Sequence, residues 1–316
     1  MLVKVKILQG DVLNIKTVLI TGGTGFIGSK LRDRLFQKGI KVIVLTRSPA
    51  KYQKLLISDL ELISDMSDLD PTVTIDCIIN LAGQRIDSRR WNTKVKRQIY
   101  DSRVGLTNQL FKHFEKASSY PKLVISASAI GFYGSSRKVV DESAAGNGGF
   151  SHRLCSAWEQ AANNFLKLNS RVCCLRFGIV LGNGGALKKM LPAFRLGLGG
   201  KFGDGSQKMS WIHIDDVIEG IIFCMNNPKM NGAINFVSPN PVSNEVFVST
   251  LSRSLKMPSI FSQPKFLIKL LFGEMGEELF LADQNVMPEK LMSNGFPFKY
   301  SKISESLENC VNKKGF

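Results

Sequence analysis

Residues 17–28 read TVLITGGTGFIG: a short strand-like run enters a glycine loop, and the loop opens an apolar segment with helical spacing. Gly22, Gly25 and Gly28 fall three apart, with a strand before them and a helix after, the context a dinucleotide-binding turn requires. Gly22 permits the tight turn, Gly25 lets the backbone approach a pyrophosphate, and Gly28 allows close helix–strand packing. Free N–H groups and the helix dipole at that N-terminus favour an anion.

The second strand ends at Thr46-Arg47, nineteen residues past Gly28. A site for NAD(H) places an acidic residue near here to accept from the adenosine ribose hydroxyls. The chain offers Arg47 instead, with Ser48 beside it and Lys51 close by. A guanidinium pairs with a 2′-phosphate through two-pronged, charge-assisted hydrogen bonds. The cofactor expected is therefore NADP(H) in preference to NAD(H).

Outward from this loop, apolar β-branched runs recur at 41–46, 77–82, 123–128 and 172–177, with helix-like segments at 26–38, 93–117 and 152–168. In 93–117, Val95, Ile99, Leu106, Leu110 and Phe114 lie on one helical face. Such alternation implies a doubly wound, Rossmann-type α/β fold whose parallel sheet is buried on both faces. After residue 182 the rhythm changes, with glycine loops at 182–185 and 197–205 and shorter elements beyond. The expected division is a nucleotide-binding domain over 1–182, its first 16 residues an edge strand or a loose arm. A smaller α+β substrate lobe covers most of 183–316, with about 208–240 returning to the first domain.

Composition narrows the class. The 316 residues are 44% apolar and 22% charged, with a net charge of +16. No apolar run approaches the roughly 18 residues of a membrane span. The opening MLVKVKILQGDVLNIK lacks a signal-peptide core, so a cytoplasmic protein with no membrane partner is expected. The basic residues are scattered, densest in RRWNTKVKR (89–97), and no nucleic-acid-binding motif accompanies them. A basic surface and a pocket for an anionic small molecule fit better than a nucleic-acid partner. Six cysteines show no CxxC pair or zinc spacing, so neither metal nor disulfide is expected. The assembly is read as a monomer or a homodimer.

TGGTGFIG, NLAG (80–83) and SASAIGFYG (126–134) resemble the extended short-chain dehydrogenase/reductase superfamily, the NAD(P)-dependent epimerases and dehydratases. RRWNTKVKRQIYDSRVGLTNQL (89–110), LCSAWE (154–159), LRFGIVLG (175–182), LPAFRLGLGGKFGDGSQKMSWIHIDDV (191–217) and FGEMGEELFL (272–281) are similar to one atypical branch. Its members are labelled epimerase family proteins and carry a C-terminal segment of undefined role. The resemblance implies that Gly22, Thr24, Gly25, Phe26 and Ile27 hold the cofactor phosphates. It puts Leu81, Ala82 and Gly83 beside the cofactor ribose, and Phe177, Gly178 and Ile179 near the nicotinamide. Ser126, at the C-terminal end of its strand, joins the cofactor side.

In active relatives a Tyr acts as acid/base, a Lys lowers its pKa, and a Ser or Thr orients the substrate. Aligned on LCSAWEQAA, those Tyr and Lys positions hold Leu154 and Trp158. Aligned on Tyr133-Gly134, the Ser/Thr position holds Ala129. Ser128 and Tyr133 remain as candidate proton-transfer groups. His152 and His213 are further candidates, although His213 with Asp215 and Asp216 reads better as a helix cap. Trp91, Trp158 and Arg176 are candidate substrate contacts. Two functions follow. One is an NADP(H)-dependent oxidoreductase or epimerase-like enzyme acting on a hydroxyl or carbonyl of a small, possibly nucleotide-sugar-like metabolite without the usual Ser-Tyr-Lys machinery. The other is a non-catalytic NADP(H)-binding sensor or regulatory protein.

Overall fold

A computed structural model of the chain describes residues 14–52, 60–259 and 261–312. The expectation for the N-terminal extension falls largely on residues 1–13, outside the described residues. Seven strands form one all-parallel sheet: β1 (Thr17–Thr21), β2 (Lys41–Leu45), β3 (Leu60–Ile63), β4 (Cys77–Asn80), β5 (Leu123–Ala129), β6 (Arg171–Phe177) and β7 (Gly232–Phe236). Their spatial order is β3-β2-β1-β4-β5-β6-β7. The order reverses at β1, with β2 on one side and β4 on the other. Ligands in doubly wound sheets bind outside the carboxyl ends of the strands at this reversal.

The strands are apolar throughout because both faces are covered. Val18, Ile20, Val42, Val44, Ile79, Ile125 and Leu175 point into one core. Helices α1 (Phe26–Phe36) and α6 (Ile214–Asn226) complete it with Leu31, Leu35, Val217 and Ile221. The alternate residues Leu19, Ile43, Ile78, Val124 and Val172 point into the other. There they meet Leu110, Phe111 and Phe114 of α3 (Leu106–Phe114) and Ala162 of α4 (Phe150–Asn163). This period-two division follows directly from strand geometry. The segment 208–240 supplies α6 and β7 to this layer.

The helix expected over 93–117 is observed as α2 (Thr93–Tyr100), a π-helical turn (Asp101–Gly105) and α3. Asn92 caps α2 by accepting from Val95 N at 2.9 Å. At the π turn, the Thr107 hydroxyl donates to the Arg103 carbonyl at 2.7 Å, a side-chain substitute for a ladder bond that the wider turn disrupts. The helix expected over 152–168 starts earlier, at Phe150. It tightens to a 3₁₀ segment over Asn164–Leu168.

The smaller lobe has its own core. Helices α5 (Gly185–Arg195), α7 (Asn244–Leu255) and α10 (Ile303–Asn312) bring together Leu187, Leu191, Phe247, Leu251 and Leu307 around Trp211. Helices α8 (Lys265–Phe272) and α9 (Glu274–Leu279) lie against the first domain. Glu278 on α9 accepts from Phe150 N at 2.9 Å and Ser151 N at 2.8 Å, filling two orphan donors of α4. No helix among the described residues is long and apolar enough to cross a membrane. All six cysteines are buried.

Candidate functional site

The crevice forms where β1, β4, β5 and β6 end. Gly22 follows β1 with φ +71°, in the left-handed region that glycine adopts without a steric penalty. A Cβ there would lie 2.8 Å from the Leu81 carbonyl, so the loop after β1 and the turn after β4 pack backbone to backbone. A Cβ on Gly28 would strike the Gly22 carbonyl, which is why the start of α1 approaches so closely. Gly25 is exposed and serves as the N-cap of α1 without a side-chain cap, and the first turn carries no acidic residue. The first-turn N–H groups therefore have no side-chain cap. Phe26 packs under the glycines at 182, 184 and 185. Thr24 is half-buried, and Ile27 joins the core behind the loop.

The β4 turn is latched from behind. Thr21 donates to Asn80 Oδ1 at 2.6 Å, and Asn80 Nδ2 donates to Thr107 at 2.8 Å. Ala82 N donates back to Thr21 at 3.2 Å, and Gln84 N donates to Ser102 at 2.9 Å. Leu81, Ala82 and Gly83 are thereby held to both β1 and the π turn. Phe177 packs edge-on to Phe236 at 5.4 Å. Gly178 and Ile179 then bond to the Phe236 and Ser210 carbonyls at 3.1 and 2.9 Å. Ser126 is buried in β5 between Asn80 and Cys174 of the neighbouring strands, its hydroxyl donating to the Ala127 carbonyl at 3.2 Å. Arg47 is exposed in the loop after β2, where no residue from 41 to 52 is acidic.

The candidate proton-transfer groups lie elsewhere in the energetic scheme. Ser128 donates to Glu159 Oε1 at 2.7 Å, and Arg176 holds both Glu159 oxygens at 2.8 Å. Arg176 also donates to the Tyr133 hydroxyl at 2.8 Å, which donates to Asn235 Oδ1 at 2.9 Å. The guanidinium stacks 3.5 Å above the Phe132 ring. All of these polar partners are buried. Burial pushes the Tyr133 phenol above its ordinary value, against the pull of the Arg176 charge, so it is a poor base near neutrality. Burial also works against the Arg176 charge, but hydrogen bonds and the charge of Glu159 outweigh it and leave its pKa above the usual arginine value. The expectation of Arg176 as a substrate contact is corrected: it is 4% exposed and its guanidinium is taken up inside this network.

Leu154 and Trp158 are buried with Trp91, Val95, Ala127, Phe150 and Met275. Trp91, also a candidate substrate contact, is core: its indole N–H donates to the Ile86 carbonyl at 2.9 Å, and its ring meets Phe150 edge-on at 4.9 Å. Trp158 is 5% exposed and lies under the Arg103 guanidinium, 5.2 Å from the ring centroid. His152 Nδ1 pairs with the Phe132 carbonyl at 2.6 Å. His213 caps α6 by accepting from Asp215 N at 3.1 Å, and Asp216 accepts from the backbone of Lys299 and Tyr300.

Asn235 lies in none of the quoted motifs, and Arg103, Asn80 and Glu159 lie inside quoted motifs without a role being assigned to them. For Arg103 one signal was present: Gly105, an isolated glycine inside a helical pattern, marks a packing or functional irregularity.

The NAD dependent epimerase/dehydratase family model matches residues 18–236. The chain belongs to that family. A second match, to a domain of unknown function (DUF1731), spans residues 263–310 and includes α8, α9 and most of α10. Across the family the chain is 36% identical to the chloroplastic epimerase family protein SDR39U1 homolog of Arabidopsis thaliana, covering 92% of this chain and 85% of that one. It is 34% identical to an epimerase family protein of Staphylococcus aureus, covering 95% and 100%. Among solved structures it is similar to human epimerase family protein SDR39U1 (isoform 2) with NADPH, at 29% identity and TM-score 0.84, covering 94% and 99%. A Bacillus cereus UDP-glucuronic acid 4-epimerase with UDP-glucuronic acid and NAD shares the fold at TM-score 0.74 and 18% identity, covering 93% and 97%.

Proposed function

We propose that the protein binds NADP(H) across the carboxyl edge of its sheet and acts as an oxidoreductase or epimerase-like enzyme on a hydroxyl or carbonyl of a small metabolite. The observation carrying this reading is the exposed, acid-free N-terminus of α1 behind the Gly22–Gly28 turn, with Arg47 at the end of β2. The residues fit the coenzyme: Gly25 would leave room for a phosphate, Leu81–Gly83 would flank the ribose, and Arg47 would meet the 2′-phosphate. The related human protein with NADPH supports the same preference. Bound there, the coenzyme supplies a hydride donor or acceptor. The chain supplies register and an apolar, water-poor wall from Leu154, Trp158, Ala127 and Phe177. General acid–base help, commonly worth about 100- to 10,000-fold, is not available from Leu154 or Trp158. Turnover on this reading is slow, or uses a proton from the substrate's own surroundings.

That same pair favours a second reading, a nucleotide-binding sensor without turnover. One experiment separates the two. Bound nucleotide is identified in the purified protein, and carbonyl and nucleotide-sugar panels are followed by NADPH absorbance. Turnover on any panel member supports the enzyme, and tight NADPH with none across the panel supports the sensor. No binding of either coenzyme would refute both.

A further inference from the structure

The face of α4 over the crevice is apolar. Phe150, Leu154 and Trp158 pack there with Ala127 and Phe177 from the carboxyl ends of β5 and β6, and Phe272, Met275 and Phe280 roof them. The apolar surface continues outward. The Phe280 ring meets Phe272 at 5.3 Å and Phe202 at 5.4 Å. Phe202 ends the strand Gly200–Phe202, whose parallel partner begins at Phe261. Phe261 is exposed, and so are Phe266 and Leu270 on α8, just beyond it in the chain. Along this path three buried side-chain atoms have no hydrogen-bond partner among the described residues: Ser151 Oγ, Trp158 Nε1 and Gln207 Oε1. Ser151 is 7% exposed and Gln207 5%. Ser151 stands one turn before Leu154 and packs against Gly131, just past the end of β5, where a Cβ would lie 2.9 Å from its own. Gln207 donates from Nε2 to the Phe202 and Phe280 carbonyls at 3.1 and 3.2 Å, which turns its oxygen away from them. A buried polar atom without a partner costs its full desolvation, and native structures keep few of them. All three groups are neutral. The carboxylates nearby are already engaged: Glu278 on α4, Glu274 with Lys96, and Glu159 with Arg176. The Arg103 guanidinium lies over the Trp158 ring on the side of the β4 turn. At the Ser151 end the Glu278 carboxylate would repel an anion.

We propose that this path is the substrate site and that it takes an uncharged, mainly apolar or aromatic ketone or alcohol in preference to a nucleotide sugar. Ser151 and Trp158 donate to its carbonyl oxygen, and Gln207 accepts from a hydroxyl. The ring faces of Phe202, Phe272 and Phe280 cover its apolar body. The roof belongs to the C-terminal segment and is tied to the first domain through Glu278, the Lys96–Glu274 pair and Arg90, whose Nη1 donates to the Leu270 carbonyl at 3.2 Å. Entry of the substrate lifts this segment from α4. The inference rests on the enzyme reading of the crevice and names the substrate class for it.

Protein loaded with NADP+, which prevents turnover of a ketone, is titrated with acetone, acetophenone and 2-acetonaphthone. Isopropylbenzene serves as the oxygen-free match for acetophenone, and UDP-glucose and UDP-glucuronate as the competing class. Binding is followed by the NMR signals of each ligand. Ketone affinity should rise by about 10-fold with each ring added, and acetophenone should bind more tightly than either nucleotide sugar. Ser151→Ala should weaken acetophenone by about 2- to 10-fold and leave isopropylbenzene unchanged. Trp158→Phe, which keeps a ring without the N–H, should show the same split. The ligand-free Ser151→Ala protein should melt at or above the wild-type temperature, because a buried hydroxyl without a partner has been removed. A serine that serves only the fold gives the reverse, a lower ligand-free Tm with unchanged ketone affinity, and that result overturns the proposal. So does a wild type that binds no ketone, an affinity that does not rise with the rings, equal losses for acetophenone and isopropylbenzene, or a nucleotide sugar that binds more tightly than 2-acetonaphthone. The wild-type series decides the substrate class even where a variant does not fold. The ketone series is repeated on coenzyme-free protein. If neither coenzyme binds, the dinucleotide reading falls, while this series still decides the chemistry of the pocket.

Discussion

Replacing Glu159 by alanine should destabilise the fold by about 3–5 kcal/mol, the range for removing one partner of a buried ion pair. Glu159 is 9% exposed and Arg176 4%. The carboxylate accepts three charge-assisted bonds, two from Arg176 at 2.8 Å and one from Ser128 at 2.7 Å. Alanine deletes all three and leaves the guanidinium with only the Tyr133 hydroxyl and the Phe132 face. Each such bond contributes about 1.5–3 kcal/mol. Part of that sum returns because the carboxylate no longer has to be desolvated, which brings the total near the stated range. At about 2 °C per kcal/mol for a large domain, Tm should fall by roughly 6–10 °C in a thermal melt. The double variant Glu159→Leu, Arg176→Met removes both charges and should recover most of the loss. A single variant within 1 °C of wild type would show that the pair is solvated. A double variant less stable than the single one would show that the cost came from lost packing. Either outcome refutes the electrostatic account.

Arg47→Ala should weaken NADPH binding far more than NADH binding, because only NADPH carries the 2′-phosphate, and equal losses by titration would remove the assigned preference. Tyr133→Phe should cost about 1 kcal/mol below pH 10 through the lost hydrogen bonds. The folded phenol titrates above its unfolded value of about 10, so its stabilising contribution is complete below that pH and drains away above it. Melting curves from pH 8 to 11 should therefore show the gap between wild type and variant closing on the alkaline side. Glu278→Ala should lower stability by about 0.5–2 kcal/mol, the usual value of a helix N-cap, and should raise the protease sensitivity of α9. Thiol labelling of the native protein at pH 8 should be slow at Cys155, whose burial pushes it up to about 11, and should become rapid on denaturation.

The phosphate turn and the sheet were legible because their signals are local. Gly22, Gly25 and Gly28 carry their constraints within twelve residues, and strands buried on both faces are apolar at every position. The side-chain partnerships were not legible. Glu159 and Arg176 meet because α4 and β6 pack side by side, and nothing in either stretch alone names the other. Arg176 therefore reads, in LRFGIVLG, as a candidate substrate contact. Arg103 was hidden by the helical pattern around it. Val95, Ile99, Leu106 and Leu110 repeat regularly enough to conceal a π turn that shifts one arginine toward Gly83. Trp91 sits next to two arginines in sequence but turns inward, because its indole N–H finds the Ile86 carbonyl five residues back.

The apolar residues at positions 154 and 158 have a structural counterpart in the C-terminal segment. In this chain that face of α4 is apolar: Phe150, Leu154 and Trp158 pack with Met275, and Phe272, Leu279 and Phe280 close around them. The same segment caps the helix through Glu278 and ties back to α2 through the Lys96–Glu274 ion pair. A tyrosine hydroxyl and a lysine ammonium on this face would have to be desolvated beneath that cover without partners, at a cost of several kcal/mol. Leucine and tryptophan instead make the cover stable. Neither side chain on this face is able to exchange a proton near neutrality. Chemistry at such a site would have to rely on positioning, with the proton supplied from elsewhere.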